Sequence, residues 1–211
     1  MTTPGYQVAD APAQWPVVSS AEQYEGLIVS VRTDTIRSPD GKTAVREVVT
    51  HPGAVGVVAL DDSGPAPRVL MIRQYRHPVG RLLWELPAGL RDVAGEPLLR
   101  TGHRELLEET GYRAARWDVL VDYFSSPGII TERLRVFLAR GPELVPASER
   151  DFVPANEEAH LLVDWVPLDD AVRLVLAGEL HNGVAVVGIL AAHVAARSGF
   201  TGLRDADAPE Q

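Results

Sequence analysis

Residues 96–112 read Glu-Pro-Leu-Leu-Arg-Thr-Gly-His-Arg-Glu-Leu-Leu-Glu-Glu-Thr-Gly-Tyr, and no other stretch constrains this chain as tightly. Arg104 to Glu109 has the composition of a helix, and Gly111 is a natural residue to end it. On a helix Glu105 and Glu109, four residues apart, lie one above the other, with Glu108 beside them. Like charges at that spacing repel by roughly 0.2–0.5 kcal/mol per pair. A divalent cation would turn the repulsion into coordination, because hard ions such as Mg2+ take carboxylate oxygens.

The segment resembles the Nudix box, Gly-x5-Glu-x7-Arg-Glu-U-x-Glu-Glu-x-Gly-U, where U is bulky and apolar. Glu96, Arg104, Glu105, Leu106, Glu108, Glu109, Gly111 and Tyr112 fall at box positions. There is one departure: six residues, not five, separate Gly89 from Glu96. A solvated helix face with a run of Glu is the bland reading. It explains neither this register nor the upstream Glu-Leu-Pro-Ala-Gly.

Composition narrows the field. A chain of 211 residues suits one domain with a sizeable core, with room for an appended subdomain. No run of eighteen or more apolar residues is present, so no membrane span is expected. The first residues lack the basic and apolar regions of a signal peptide. Cysteine is absent, which excludes disulfides, thiolate catalysis and Cys-ligated zinc and makes a cytoplasmic site the default. The formal net charge of −9 argues against binding nucleic-acid phosphates, which takes clustered Lys and Arg.

Along the chain, residues 1–20 read as a loose arm and 21–50 as a small N-terminal β unit. In that unit two β-rich runs flank Ser38-Pro39-Asp40-Gly41, a hairpin signature. Residues 51–200 form the catalytic domain, and 201–211 a frayed acidic tail. Within the catalytic domain strands are expected over 56–60, 68–74, 83–86, 118–123, 133–139 and 161–166. Helices are expected over 98–110, 167–177 and 184–198. The fold class is α/β: a mixed β-sheet between helices, as in the Nudix fold, with an N-terminal β subdomain.

The resemblance extends to the ADP-ribose pyrophosphatase branch of the family, and it implies roles. Ala88, through its carbonyl, with Glu105, Glu109 and an assisting Glu108, would bind Mg2+, or Mn2+. Arg104 would hold a glutamate in place by an ion pair. Arg76, in Gln74-Tyr75-Arg76, matches the arginine placed on the substrate diphosphate, and Gly89 belongs to the same loop. Ser126 and Pro127 stand where this branch carries a proline after the box. The long stretch 141–155 leads to Glu157 and Glu158, the place of a catalytic base on a loop. Glu158 fits best and Glu157 comes second. Arg46, on the N-terminal β unit, would reach the adenosine end in a homodimer. Glu85 reads as structural or peripheral. The activity implied is hydrolysis of ADP-ribose to AMP and ribose 5-phosphate. The partners implied are a nucleotide sugar and a second copy of the chain, with neither nucleic acid nor membrane. Two alternatives stay open: cleavage of another nucleoside diphosphate or triphosphate, and a module that binds ADP-ribose without cleaving it.

Overall fold

The computed structural model describes residues 8–150 and 161–210. They divide into two compact units, one within Met1–His51 together with Gly128–Ile130, the other within Pro52–Pro127 and Thr131–Gln211.

The first unit is a three-stranded antiparallel sheet of β1 (Val17–Glu25), β2 (Ser30–Arg37) and β3 (Thr43–Thr50), in that order. The expected hairpin is β2–β3. The arm reading missed β1, which begins inside it at Val17. Its sequence, Val-Val-Ser-Ser-Ala-Glu-Gln-Tyr-Glu, has no period-2 alternation because every residue in it is exposed. Gly128–Ile130 joins this unit through the Val49 amide, which donates to the Ile129 carbonyl at 2.8 Å.

The second unit is built on a mixed sheet. Its strands are β4 (Ala54–Asp61), β5 (Arg68–Arg76), β6 (Arg81–Glu85), β7 (Ala88–Leu90), β8 (Tyr112–Phe124), β9 (Arg133–Leu144), β10 (Leu162–Pro167) and β11 (Arg204–Asp205). The order is β10-β5-β4-β9-β8-β11, with β6 on β5 and β7 on β4. Only β4 and β9 run parallel; the other pairings are antiparallel.

The central strands are buried on both faces, and their alternation divides the core. Val58 and Leu60 of β4, Met71 of β5 and Leu138 of β9 pack with Ala171 of α2 (Leu168–Leu176) and Ile189 of α3 (Gly183–Arg197). Their neighbours Val57, Ala59, Leu70 and Ala139 point the other way, to Leu106 of α1 (Leu98–Thr110). The sheet is therefore sandwiched between α1 and the α2–α3 pair, as the α/β reading expects. Among the described residues no helix is long and apolar enough to cross a membrane.

The frayed-tail expectation is corrected. Residues 204–210 are tied down: β11 pairs with β8, and the Arg135 guanidinium donates to the carbonyls of Ala208 and Pro209 at 2.6 and 3.2 Å. Acidic composition suggested solvent, but the buried Arg135 holds the segment, and Arg91 and Arg133 hold Glu210.

Candidate active site

Helix α1 presents the carboxylates, and the turn between β6 and β7 meets them. Gly111 ends the helix at φ 74°, its amide donating to the Leu107 carbonyl at 2.8 Å. Pro87 precedes the short strand Ala88–Leu90. The Ala88 amide donates to Glu109 Oε2 at 2.9 Å. Gly89 lies so close to Glu105 that a Cβ at Gly89 would overlap the Glu105 carboxylate. The missing side chain at Gly89 is thus a cradle for that carboxylate.

Arg104 gathers the acids around it. Its Nη1 donates to Glu105 Oε1 at 2.6 Å and to Glu108 Oε2 at 3.4 Å, and its Nη2 reaches Glu96 Oε2 at 3.3 Å. Glu96 also accepts from the Thr101 hydroxyl at 2.9 Å. Glu105 is only 9% exposed. Burial first, with the charge of Glu108 adding to it, pushes its carboxyl above the usual range against the pull of Arg104. Additional positive charge beside Glu105 would relieve a real cost.

Beside this cluster opens a cavity of about 690 Å3, a size that suits a small-molecule ligand. Ala88 and Gly89 line it, as do Arg76, Glu85, Tyr123 and Phe124. The N-terminal end of α3 adds Asn182 to Val184, with Asn182 Oδ1 capping the helix from the Ala185 amide at 2.9 Å. Arg76 lies against Glu85, its Nη2 2.6 Å and its Nε 3.2 Å from Oε2, with Nε also 2.9 Å from Oε1. Glu85 is 1% exposed. The Tyr123 phenol, raised to about 12 by burial and then by Glu132, stays a neutral hydrogen-bond donor at neutral pH.

The residues fit a hard divalent ion. Among the described residues no three His, Cys, Asp or Glu side chains form a ready-made cage. Mg2+ does not need one, since it keeps several waters and takes one or two carboxylates plus phosphate oxygens. A buried carboxylate in a glycine cradle, a second α1 carboxylate hydrogen-bonded to the Ala88-Gly89 turn and the backbone oxygens of that turn are all hard donors.

A family model for the NUDIX domain matches residues 50–185. The chain belongs to the Nudix family. It is 46% identical to the ADP-ribose pyrophosphatase of Mycobacterium tuberculosis, the match covering 93% of this chain and 91% of that protein. It is 34% identical to the ADP-ribose pyrophosphatase of Bacillus subtilis, over 82% of this chain and 89% of that protein. A crystal structure of an ADP compounds hydrolase superposes with a TM-score of 0.72 at 18% identity, covering 92% of this chain and all of that one. At that identity the last match speaks for the fold.

The Nudix helix α1 brings Arg104, Glu105, Glu108 and Glu109 together with Ala88 and Gly89, and Arg76 lines the adjoining cavity. Ser126 is exposed; Ser125 takes the place on the cavity wall. Arg46 belongs to the other unit, exposed on β3, with its Nη1 donating to the Val45 carbonyl at 2.8 Å. Glu157 and Glu158 lie outside the described residues. Sequence reasoning missed Glu85 as the partner of Arg76. The available signal was an acid inside the apolar run 82–86, since a buried carboxylate is seldom left unpaired. Tyr123, Phe124 and Asn182 carried no local signal, because the cavity joins segments far apart in sequence.

Proposed function

We propose that this chain is a Nudix hydrolase that cleaves the diphosphate of ADP-ribose, giving AMP and ribose 5-phosphate. The observation that carries the reading is the meeting of the α1 carboxylates with the Ala88-Gly89 turn at the edge of a nucleotide-sized cavity. High identity over most of the chain to two ADP-ribose pyrophosphatases directs it to this substrate class.

Glu105, Glu109 and the Ala88 carbonyl, with Glu108 assisting, would hold Mg2+, or Mn2+ in its place. A divalent ion held there would neutralise charge on the diphosphate oxygens. The protein's own groups do the rest. Arg104 fixes the Glu105 carboxylate, and Gly89 leaves it room. Arg76, oriented by Glu85, offers a planar cation to a phosphate. Glu158, or Glu157 beside it, takes a proton from the attacking water. The water oxygen bonds to one phosphorus, the bridging P–O bond breaks, and the bridging oxygen leaves on the other phosphate.

The substrate's adenosine end would draw on Arg46 of a second copy. The N-terminal sheet supports such a homodimer: β1 is exposed throughout, and Val17, Tyr24 and Val45 add apolar surface. A cytoplasmic setting goes with this reading and rests on the cysteine-free composition.

The test is a panel of nucleoside diphosphate sugars offered to the purified chain with Mg2+ or Mn2+, with kcat/KM measured for each. ADP-ribose should lead. The chain is also 30% identical to a CMP-5'-(N-acetyl-N-hydroxy-3-aminopropyl)phosphonate hydrolase of Streptomyces rubellomurinus over 80% of its length, so cytidine compounds belong in the panel. A cytidine or guanosine compound in first place would replace ADP-ribose as the substrate.

A further inference from the structure

We propose that residues 203–210 form a strap that sets the loop between Gly89 and α1, and thereby positions the turn and the helix of the catalytic site. The inference rests on the proposed diphosphate hydrolysis for its kinetic consequence, but its structural basis is separate.

The loop joins the two parts that must meet, the Ala88-Gly89 turn and the carboxylates of α1. It also carries the one residue by which this chain exceeds the box spacing. The C-terminal segment grips its entry and shares a hydrophobic cluster with its exit. Before the loop, Glu210 lies 3.2 Å from both terminal nitrogens of Arg91, the residue that follows β7. The Arg91 amide in turn donates to the Gly53 carbonyl at 3.1 Å. After the loop, Leu98 and Leu99, the first residues of α1, pack against the same buried cluster of Val55, Val119 and Phe137 as Ala206 and Ala208.

The strap is itself anchored. Leu203 packs against the main core, and Arg204 and Asp205 pair with Val119 and Asp118. Arg135, only 3% exposed, is neutralised by Asp122 and donates to the carbonyls of Ala208 and Pro209. A buried guanidinium left without acceptors is costly, so these two carbonyls are firmly held. Glu210 reaches the cavity by a second route. Its Oε1 is 3.5 Å from Arg133 Nε, and the Arg133 guanidinium stands 5.6 Å from the centre of the Phe124 ring, which lines the cavity. One carboxylate thus ties the loop entry to a cavity wall.

The test uses the full-length chain with Glu210→Gln and Glu210→Arg, which leave the Arg135 anchor intact. Hydrogen exchange by mass spectrometry reads amides 90–96 without any substrate, and steady-state kinetics read kcat and KM for ADP-ribose. Expected are faster exchange confined to 90–96, most in Glu210→Arg, and an unchanged Tm. The charge reversal should also lower kcat about 10-fold, short of the roughly 100-fold that a 1 Å misplacement can cost. Unchanged exchange at 90–96 in both variants would overturn the strap. So would a fall in Tm with exchange raised evenly along the chain, which would assign Glu210 to general stability. A wild-type chain that cleaves no nucleoside diphosphate compound would overturn the proposed function, while the exchange result would still decide the strap.

Discussion

Gly89 and the Glu105 carboxylate share a space that has no room for a methyl group. Gly89→Ala should therefore push Glu105 off its position and lower kcat about 100-fold, with the circular dichroism spectrum unchanged. Steady-state kinetics would check this, and wild-type turnover would mean that the cradle has no bearing on the reaction. Glu109→Gln keeps the shape and leaves an oxygen for the Ala88 amide, but removes a charge from the crowded helix face. Its metal-free Tm should be no lower than that of the wild type by calorimetry. The box residues were legible in the sequence because helical spacing alone fixes their common face. Glu85 was not, because its partner Arg76 comes from the neighbouring strand and pairing depends on the β5–β6 register.

Elements were legible where burial imposed a period. The runs in β4, β5 and β9 announced buried strands, and α1 announced itself by composition and its terminal glycine. The sequence reading began β8 at residue 118, whereas it starts directly after α1 at Tyr112. Its first half alternates only over Tyr112 to Ala115 before the pattern breaks at Arg116, a run too short and too polar to stand out from a loop. At α3, Asn182→Ala should cost about 1 kcal/mol in urea denaturation, the usual weight of a side-chain N-cap. The β4–β5 hairpin carries a pH-dependent term. Hydrogen bonds from Ser63, then from Arg68, hold the Asp61 carboxyl at about 2. A depressed carboxylate stabilises the fold above its unfolded value of about 3.9, and that contribution fades as pH falls toward 2. The Tm gap between wild type and Asp61→Asn should be constant above about pH 4 and close below it. A gap that widens on acidification would contradict the assignment.

For the whole molecule, the N-terminal sheet and the catalytic unit pose different questions. A small sheet that leaves β1 entirely exposed calls for a cover, and the proposed cover is a second copy of the chain. Sedimentation should show a dimer, and Val45→Glu, at a position 61% exposed, should shift it toward monomer. A full-length monomer with high affinity for ADP-ribose would rule this arrangement out. The sequence disclosed the catalytic unit because the Nudix box holds its residues at a fixed spacing along a helix. It disclosed less about the cavity, whose wall is gathered from β5, β8 and α3 by the fold. The most direct measurement is product analysis by mass spectrometry after incubating ADP-ribose and Mg2+ with the wild type and with Glu109→Gln. The wild type should yield AMP and ribose 5-phosphate in equal amounts and the variant almost none. Wild-type chain that leaves ADP-ribose intact, or a variant that matches it, would contradict the assignment.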